Sequence, residues 1–203
     1  MRDRFAEARY EVFSHARKMW EAGLVVGSSG NLSARVADDP SVIAITPTSV
    51  IYDEMSGHQI VVVDLLTGSS IESKESPSCE LPMHRFIYRE LPSVSAIVHT
   101  HSPFVTTLSI LRRPLPPVID EMLQLFGGMI EVADYAPSGS EDLGRNALRA
   151  LGNRTAAILA NHGNVCIGPS ASAALQTAIA MEAAARIYLQ SLQVGEPFVL
   201  RQS

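Results

Sequence analysis

The chain has 203 residues, of which 46% are hydrophobic and 18% are charged, and its formal net charge is −5 at pH 7. A charged fraction below the roughly 25% of average soluble domains predicts that part of the surface is buried in an oligomer. The acidic balance, without any basic cluster containing interleaved aromatic residues, excludes a general nucleic-acid binder.

The chain length limits the number of domains, and the cysteines indicate the cellular compartment. The length predicts one domain over 1–203. The first 20 residues are charged throughout, unlike a signal peptide, and no apolar run reaches the roughly 20 residues of a membrane span. Cys79 and Cys166 form no CxxC pair and no dense disulfide pattern. We expect a cytoplasmic protein with reduced thiols and no membrane partner.

Hydrophobic periodicity and turn residues predict the elements in chain order. Helices are predicted over 3–22, 76–91 (starting near 78–81), 102–111, 117–126, 138–152 and 170–192. Strands are predicted in the segments 42–50, 59–68, 94–101, 127–136 and 156–168, the last as two short runs, and the segment 27–36 is predicted as a turn that leads into a strand. Ser102 is expected to cap its helix, with Pro103 at the first position. The consecutive early strands predict a largely antiparallel sheet with helices packed on it.

Three histidines lie at predicted strand ends. His99 and His101 are two residues apart, so on a strand both rings face the same side of the sheet. His162 lies at the end of another apolar run, directly before Gly163. Zn²⁺ binds neutral imidazole nitrogens and takes three or four ligands, so this set predicts a metal site.

The remaining histidines have less specific interpretations. His15 lies on the first helix and His58 in a glycine-containing turn, and both are interpreted as ordinary polar residues. His84 follows Glu80 by four residues on a predicted helix and shares a face with it if that helix is regular, which leaves its role open.

Glu80 is the candidate acid/base. It lies in the first turn of a predicted helix, where the helix dipole by itself favours a carboxylate. The same turn offers backbone N–H groups and the hydroxyls of Ser76 and Ser78, which is typical of an anion site. The turns 27–31 and 46–49 are further candidate anion sites. A metal, a carboxylate and an anion pocket together indicate a phosphorylated substrate with chemistry next to a carbonyl.

Four segments in this order carry a resemblance: GSSGNLSARV, ITPTS, SPSCELPMHRFIYRELPSVSAIVHTHSPF and NHGNVCIG. They resemble the class II aldolase/adducin family, and within it the L-fuculose-1-phosphate aldolase type, over about residues 5–192. The resemblance implies a three-layer α/β sandwich with a central, mainly antiparallel sheet flanked by helices. It also implies C4 homotetramers with the active site between subunits.

The resemblance assigns roles to individual residues. Zinc ligands carry over to His99, His101 and His162, and Glu80 is the catalytic glutamate that also ligates the resting metal. The implied phosphate pocket comprises Ser28, Gly30, Asn31, Thr48, Ser49, Ser78 and Cys79.

Four departures from the family pattern are present. The family often has glycine at Ser49 and a second serine at Cys79. A family tyrosine that acts across the subunit interface falls near Asp120 or Glu121. The chain ends at Ser203, before the tail that carries another tyrosine in the fuculose enzyme.

The function predicted from these residues is a lyase: a zinc-dependent aldolase that cleaves a ketose 1-phosphate to dihydroxyacetone phosphate and an aldehyde. Glu80 exchanges a proton with the dihydroxyacetone phosphate carbon, and Glu121 or Asp120 of a neighbouring subunit deprotonates the C4 hydroxyl. Mn²⁺, Co²⁺ and Fe²⁺ are alternatives to zinc. Alternative functions are a 5-deoxypentulose-1-phosphate aldolase, a 4-epimerase, a dehydratase, a decarboxylase, or a non-catalytic adducin-like module.

Overall fold

The computed structural model describes residues 3–200, and within them it contains six α-helices and one eight-stranded sheet. The single domain predicted over 1–203 stays a prediction, and its last residue, Ser203, lies outside the described residues. The helices are α1 (Ala6–Glu21), α2 (Leu81–Glu90), α3 (Pro103–Leu111), α4 (Asp120–Phe126), α5 (Glu141–Leu151) and α6 (Ala171–Ser191). The strands are β1 (Asn31–Val36), β2 (Asp39–Ile45), β3 (Val61–Asp64), β4 (Ser70–Ile71), β5 (Ala96–Thr100), β6 (Val132–Ala133), β7 (Ala156–Leu159) and β8 (Gly163–Gly168).

The strands are ordered β4-β3-β2-β1-β5-β8-β7-β6, which places β5 inside the sheet between β1 and β8. Every neighbouring pair is antiparallel except β6 and β7, which run parallel. The sheet is therefore mixed, though largely antiparallel, which corrects the mainly antiparallel prediction at this edge. The reason is the connection: α5 links β6 to β7, and a helical crossover brings consecutive strands into parallel pairing.

Apolar side chains alternate between the two faces of the sheet and build a core on each face. On β5, Val98 belongs to the core under α1, α3, α4 and α6, whereas Ile97 belongs to the core under α2 and α5. Helices therefore cover both faces of the sheet. His99 shares its face with Ile97, since side chains two residues apart on a strand point the same way. No helix of 3–200 is long and apolar enough to cross a membrane.

Two predicted elements are shorter than expected. The helix predicted over 117–126 begins only at Asp120, because Ile119 has an extended backbone, with φ −132° and ψ 151°. The strand predicted over 127–136 is reduced to β6, because Gly127 and Gly128 adopt positive φ angles that end the extended backbone.

The start of α3 departs from the expected cap. Pro103 is at the first helical position as predicted, but the Ser102 hydroxyl makes no cap hydrogen bond and is buried without a partner in the described structure. The Glu182 carboxylate of α6 instead accepts hydrogen bonds from the backbone N–H groups of Phe104 and Val105, at 2.9 and 3.0 Å. A carboxylate is favoured there by the helix dipole.

Candidate metal centre

The three histidines meet because of strand register. In the β5–β8 pair, His99 lies opposite Val165 and Thr100 opposite Asn164, so the turn that precedes β8 approaches the end of β5. His162 lies in that turn, directly before Gly163, and His101 lies one residue beyond β5. The three rings are thus carried by the end of one interior strand and the adjacent turn.

The rings surround one point together with Glu80. One ligand atom from each of the four residues lies within 4.8 Å of all the others. Every pair of rings has centroids 4.8 Å apart and planes inclined by 66–73°. Glu80 Oε2 lies 2.8 Å from His99 Nε2, and Glu80 Oε1 lies 3.3 Å from His162 Nε2. We name these four residues the His₃–Glu cluster.

The donor set fits a divalent cation. His99 Nδ1 is 2.8 Å from the carbonyl oxygen of Asn164, which can only accept, so Nδ1 carries the proton. In a neutral ring, Nε2 then presents a lone pair, yet it lies 2.9 Å from His101 Nε2 and close to the Glu80 carboxylate. Acceptors that face one another at these distances are stabilised by positive charge between them, from a metal ion or from a proton on one ring. Three imidazoles and one carboxylate match the ligands of zinc, and the backbone carbonyl fixes the orientation of one ring.

Protonation states agree with this reading. Burial, followed by repulsion from His99, lowers the pKa of His101 to about 3 and that of His162 to about 4, which leaves both rings neutral and able to ligate at pH 7. Burial by itself would lower the pKa of His99, but the Glu80 carboxylate outweighs it and raises that pKa. In the metal-free protein, the Glu80 carboxylate therefore favours the protonated form of His99.

Glu80 is the residue directly before α2 and is only 4% exposed. Asn31 Nδ2 donates to Oε2 and the Ser138 hydroxyl donates to Oε1, both at 2.8 Å. Burial would raise the pKa of Glu80, but attraction from His99, with its hydrogen bond, holds that pKa well below its usual range. Glu80 is thus an ionised, fully hydrogen-bonded carboxylate inside the protein.

The structure gives His84 a defined environment. It is fully buried on α2 and hydrogen-bonds Asn31 and Ser33, whose side chains lie on the same face of β1. Sequence reasoning missed Ser33 and Ser138. The polar side chains of Asn31 and Ser33, spaced i, i+2 on one face of the strand, were the available signal for Ser33. The only sequence feature that pointed to a role for Ser138 was its position in a loop rich in glycine and serine.

The segments that contain the implied phosphate pocket lie side by side. Thr48 N donates to Ser76 O and Ser78 N donates to Thr46 O, both at 3.0 Å, so two of the loops are hydrogen-bonded to each other. The Tyr52 hydroxyl donates to Gly30 O at 2.9 Å and holds the third loop. Phosphate binding by these residues stays a prediction.

Individual members of the implied pocket differ in exposure. Ser28, Ser49 and Cys79 are exposed, whereas Ser78 is buried, and both side-chain groups of Asn31 contact Glu80 and His84. Ser49 has a φ of 60°, which explains why glycine suits this position in the family.

Asp120 and Glu121 do not join the His₃–Glu cluster within the described chain. Both are exposed in the first turn of α4, and the Asp120 carboxylate accepts a hydrogen bond from Gln124. Their predicted role across a subunit interface stays a prediction.

Replacing Gly163 with alanine is expected to disrupt the cluster. A Cβ at this position would overlap the carbonyl oxygen of Thr100 and lie 3.1 Å from Cδ2 of the His101 ring. We expect a loss of about 1–3 kcal/mol in the free energy of unfolding, as for other overpacked sites, together with weaker metal binding. Urea unfolding and metal titration measure both. Gly195→Ala is the matched control, because a Cβ there meets nothing within 4 Å. Equal behaviour of the two variants would contradict the argument.

The stability of the metal-free protein is expected to depend on pH through His84. Burial, then His99, lowers the pKa of His84 to about 3, whereas an unfolded imidazole titrates near 6.5. Between these values the unfolded chain binds the extra proton, so stability falls as the pH drops below about 6.5. His84→Gln should remove about 2 kcal/mol of the stability difference between pH 7 and pH 5. Urea unfolding at both pH values measures it, with His15→Gln as control. An unchanged difference in His84→Gln would be the opposing result.

The fold and the cluster together define a protein with a candidate site for a divalent cation, made of three imidazoles and a carboxylate. The family described as "Class II Aldolase and Adducin N-terminal domain" matches residues 10–189, and the chain belongs to this family. This confirms the family predicted from the sequence.

Curated and solved relatives are similar over nearly the whole chain. The 5-methylthioribulose-1-phosphate/5-deoxyribulose-1-phosphate aldolase of Rhodospirillum rubrum is 35% identical over 95% of this chain and 85% of its own. The 5-deoxy-D-ribulose 1-phosphate aldolase of Bacillus thuringiensis serovar kurstaki is 33% identical over 95% of this chain and 89% of that relative's length. A solved L-fuculose 1-phosphate aldolase superposes with a TM-score of 0.91 at 33% identity, covering 97% of this chain and 91% of its own.

Proposed function

We propose that the protein is a divalent-metal-dependent aldolase that cleaves a ketose 1-phosphate to dihydroxyacetone phosphate and an aldehyde. The observation that carries the proposal is the His₃–Glu cluster, whose donor atoms lie within 4.8 Å of one another. The relatives named above act, by their names, on 5-methylthioribulose 1-phosphate, 5-deoxyribulose 1-phosphate or L-fuculose 1-phosphate. We place 5-deoxyribulose 1-phosphate first among substrates, because Asp120 and Glu121 stand where the fuculose type is expected to have tyrosine.

His99, His101 and His162 would hold the metal, with Glu80 as a further ligand, and zinc is the ion we propose. When bound, the metal supplies Lewis-acid stabilisation of the negative charge that develops as the C3–C4 bond breaks. Imidazole sites also accept Mn²⁺, Co²⁺ and Fe²⁺, so these ions are the comparisons for a metal screen.

Glu80 is the proposed proton carrier. Its low pKa keeps it ionised, which is the state required to remove a proton from C3 of dihydroxyacetone phosphate in the synthetic direction. In cleavage, the electron pair of the broken C3–C4 bond stays with C3. Glu80 takes a proton from solvent water and delivers it to that carbon, while the proton of the C4 hydroxyl goes to a second group. Asn31 and Ser138 hold both carboxylate oxygens in place for this transfer.

A second group must take the proton of the C4 hydroxyl, and we propose Glu121, or Asp120, from a neighbouring copy of the chain. Both carboxylates are exposed on α4 and are thus available to a partner subunit in the proposed cytoplasmic homotetramer. Glu121→Gln and Asp120→Asn, each assayed across pH, test this role. Full cleavage rates in both variants would exclude it.

The experiment that tests the function is a cleavage screen over ketose 1-phosphates, with coupled detection of dihydroxyacetone phosphate. We expect zinc-loaded protein to release it from 5-deoxyribulose 1-phosphate or from L-fuculose 1-phosphate. Release that disappears after chelation and returns with zinc would support the proposal. No release from any substrate, with metal bound, would reject the aldolase and favour the dehydratase, decarboxylase or epimerase alternatives.

A further inference from the structure

A line of hydrogen-bonded side chains runs from Glu80 into the core beneath α2. Asn31 Nδ2 lies 2.8 Å from Glu80 Oε2, and Asn31 Oδ1 lies 2.6 Å from His84 Nε2. His84 Nδ1 lies 2.7 Å from the Ser33 hydroxyl, which lies 2.9 Å from the Tyr88 hydroxyl. All five residues are at most 4% exposed, so water does not compete for these contacts.

The chemistry of the groups fixes the direction of each hydrogen bond. The ionised Glu80 can only accept, so the Asn31 amide nitrogen faces it and the amide oxygen faces His84. An amide oxygen can only accept, so His84 Nε2 carries the proton. In the neutral ring Nδ1 is then an acceptor, which makes Ser33 the donor to Nδ1 and Tyr88 the donor to Ser33. Every donor in the line thus points toward Glu80.

This directionality gives His84 a function apart from packing. Without a donor at the Nε2 position, the Asn31 amide loses the contact that holds its oxygen away from Glu80. The amide can then turn, which would place an acceptor against the carboxylate and leave a buried polar group unpaired. We propose that His84 is a positioning residue that locks the Asn31 amide and, through it, the metal-facing carboxylate of Glu80. Any consequence for catalysis rests on the proposed aldolase function.

Two amide variants separate positioning from packing. In His84→Gln, the side-chain NH₂ occupies the Nε2 position and can donate to Asn31 Oδ1. In His84→Asn, the shorter amide reaches only the Nδ1 position, beside Ser33. The probe is Co²⁺ alone, titrated into metal-free protein and followed by its visible absorbance. We expect His84→Gln to bind Co²⁺ within about threefold of the parent and His84→Asn to bind it about 10–100-fold more weakly, as for other groups that orient ligands. Equal dissociation constants for the two variants would overturn the proposal.

A third variant, Ser33→Ala, keeps the test independent of whether both amide variants fold. Ser33→Ala retains the His84 ring but removes the donor that selects its tautomer. We expect it to weaken Co²⁺ binding about tenfold, and unchanged affinity would count against the proposal. His15→Gln is the control, because His15 on α1 contacts the Glu11 carbonyl and Ser14 and should leave Co²⁺ binding unchanged.

The Co²⁺ titration uses no substrate, so its result does not depend on whether the proposed aldolase function is correct. If the parent cleaves no ketose 1-phosphate but the cobalt results hold, the aldolase proposal fails and the positioning proposal survives. In an active parent, His84→Asn should lower kcat about 10–100-fold, because it disturbs Glu80 through Asn31. Any rise in KM should be smaller than the fall in kcat and comes from Asn31, which also belongs to the implied phosphate pocket. A rise in KM at unchanged kcat would contradict the assignment.

Discussion

Glu80→Gln is expected to lower kcat for ketose 1-phosphate cleavage by about 10²–10⁴-fold, the usual contribution of a positioned acid/base group. Glutamine has nearly the same shape but cannot carry a proton to or from C3. Because Glu80 contacts both His99 and His162, the variant also removes the negative charge that faces the cation. The measurement is steady-state kinetics on zinc-loaded protein whose metal content is determined in the same sample.

Two comparisons make this result specific. Glu75→Gln changes a carboxylate in the preceding loop, outside the His₃–Glu cluster, and should leave kcat within about twofold. Metal content near that of the parent would locate the Glu80→Gln defect in proton transfer. A Glu80→Gln enzyme that retains full kcat would remove Glu80 from the chemistry.

His101→Ala is expected to weaken zinc binding by at least about 100-fold, since even groups that only orient ligands contribute 10–100-fold. His101 Nε2 lies 2.9 Å from His99 Nε2, so removing this ring opens one side of the cluster. Cleavage activity should fall with zinc occupancy and recover in part when excess zinc is added. Competition with a chelator of known affinity measures the dissociation constant.

The control for this prediction is His58→Ala, which removes an exposed imidazole from the turn at Gly57–Gln59. Its zinc affinity and activity should match those of the parent. Parent-like zinc affinity in His101→Ala would show that the cluster is not the metal site.

The spacing of the histidines made the centre of the fold and of the candidate site predictable. The i, i+2 positions of His99 and His101 on an apolar run define a strand and a shared face without any tertiary information. His162 likewise lies at the end of an apolar run, directly before Gly163. Their convergence required the antiparallel pairing of β5 with β8, a contact between distant segments that local periodicity does not encode.

The missed features share one physical cause, because each depends on a partner from another element. The cap of α3 comes from Glu182, nearly 80 residues away on α6, so the local Ser-Pro sequence pointed to Ser102 instead. The parallel edge of the sheet depends on how α5 packs, and the contact of Ser138 with Glu80 depends on how the loop before α5 folds back. Local propensity predicts which elements form, but not which side chains of distant elements meet.

The position of β5 inside the sheet has a consequence for handling the protein. β1 and β8 flank the strand, and the cores on both faces consist of apolar side chains that require no ion for their packing. In zinc fingers, by contrast, removal of the ion unfolds the domain. We therefore expect chelators to remove the metal reversibly and to leave a folded protein that can bind metal again. One metal-free preparation could then be loaded with different divalent ions that are suited to different spectroscopic methods. Each ion would raise the free energy of unfolding only through its binding to the folded state.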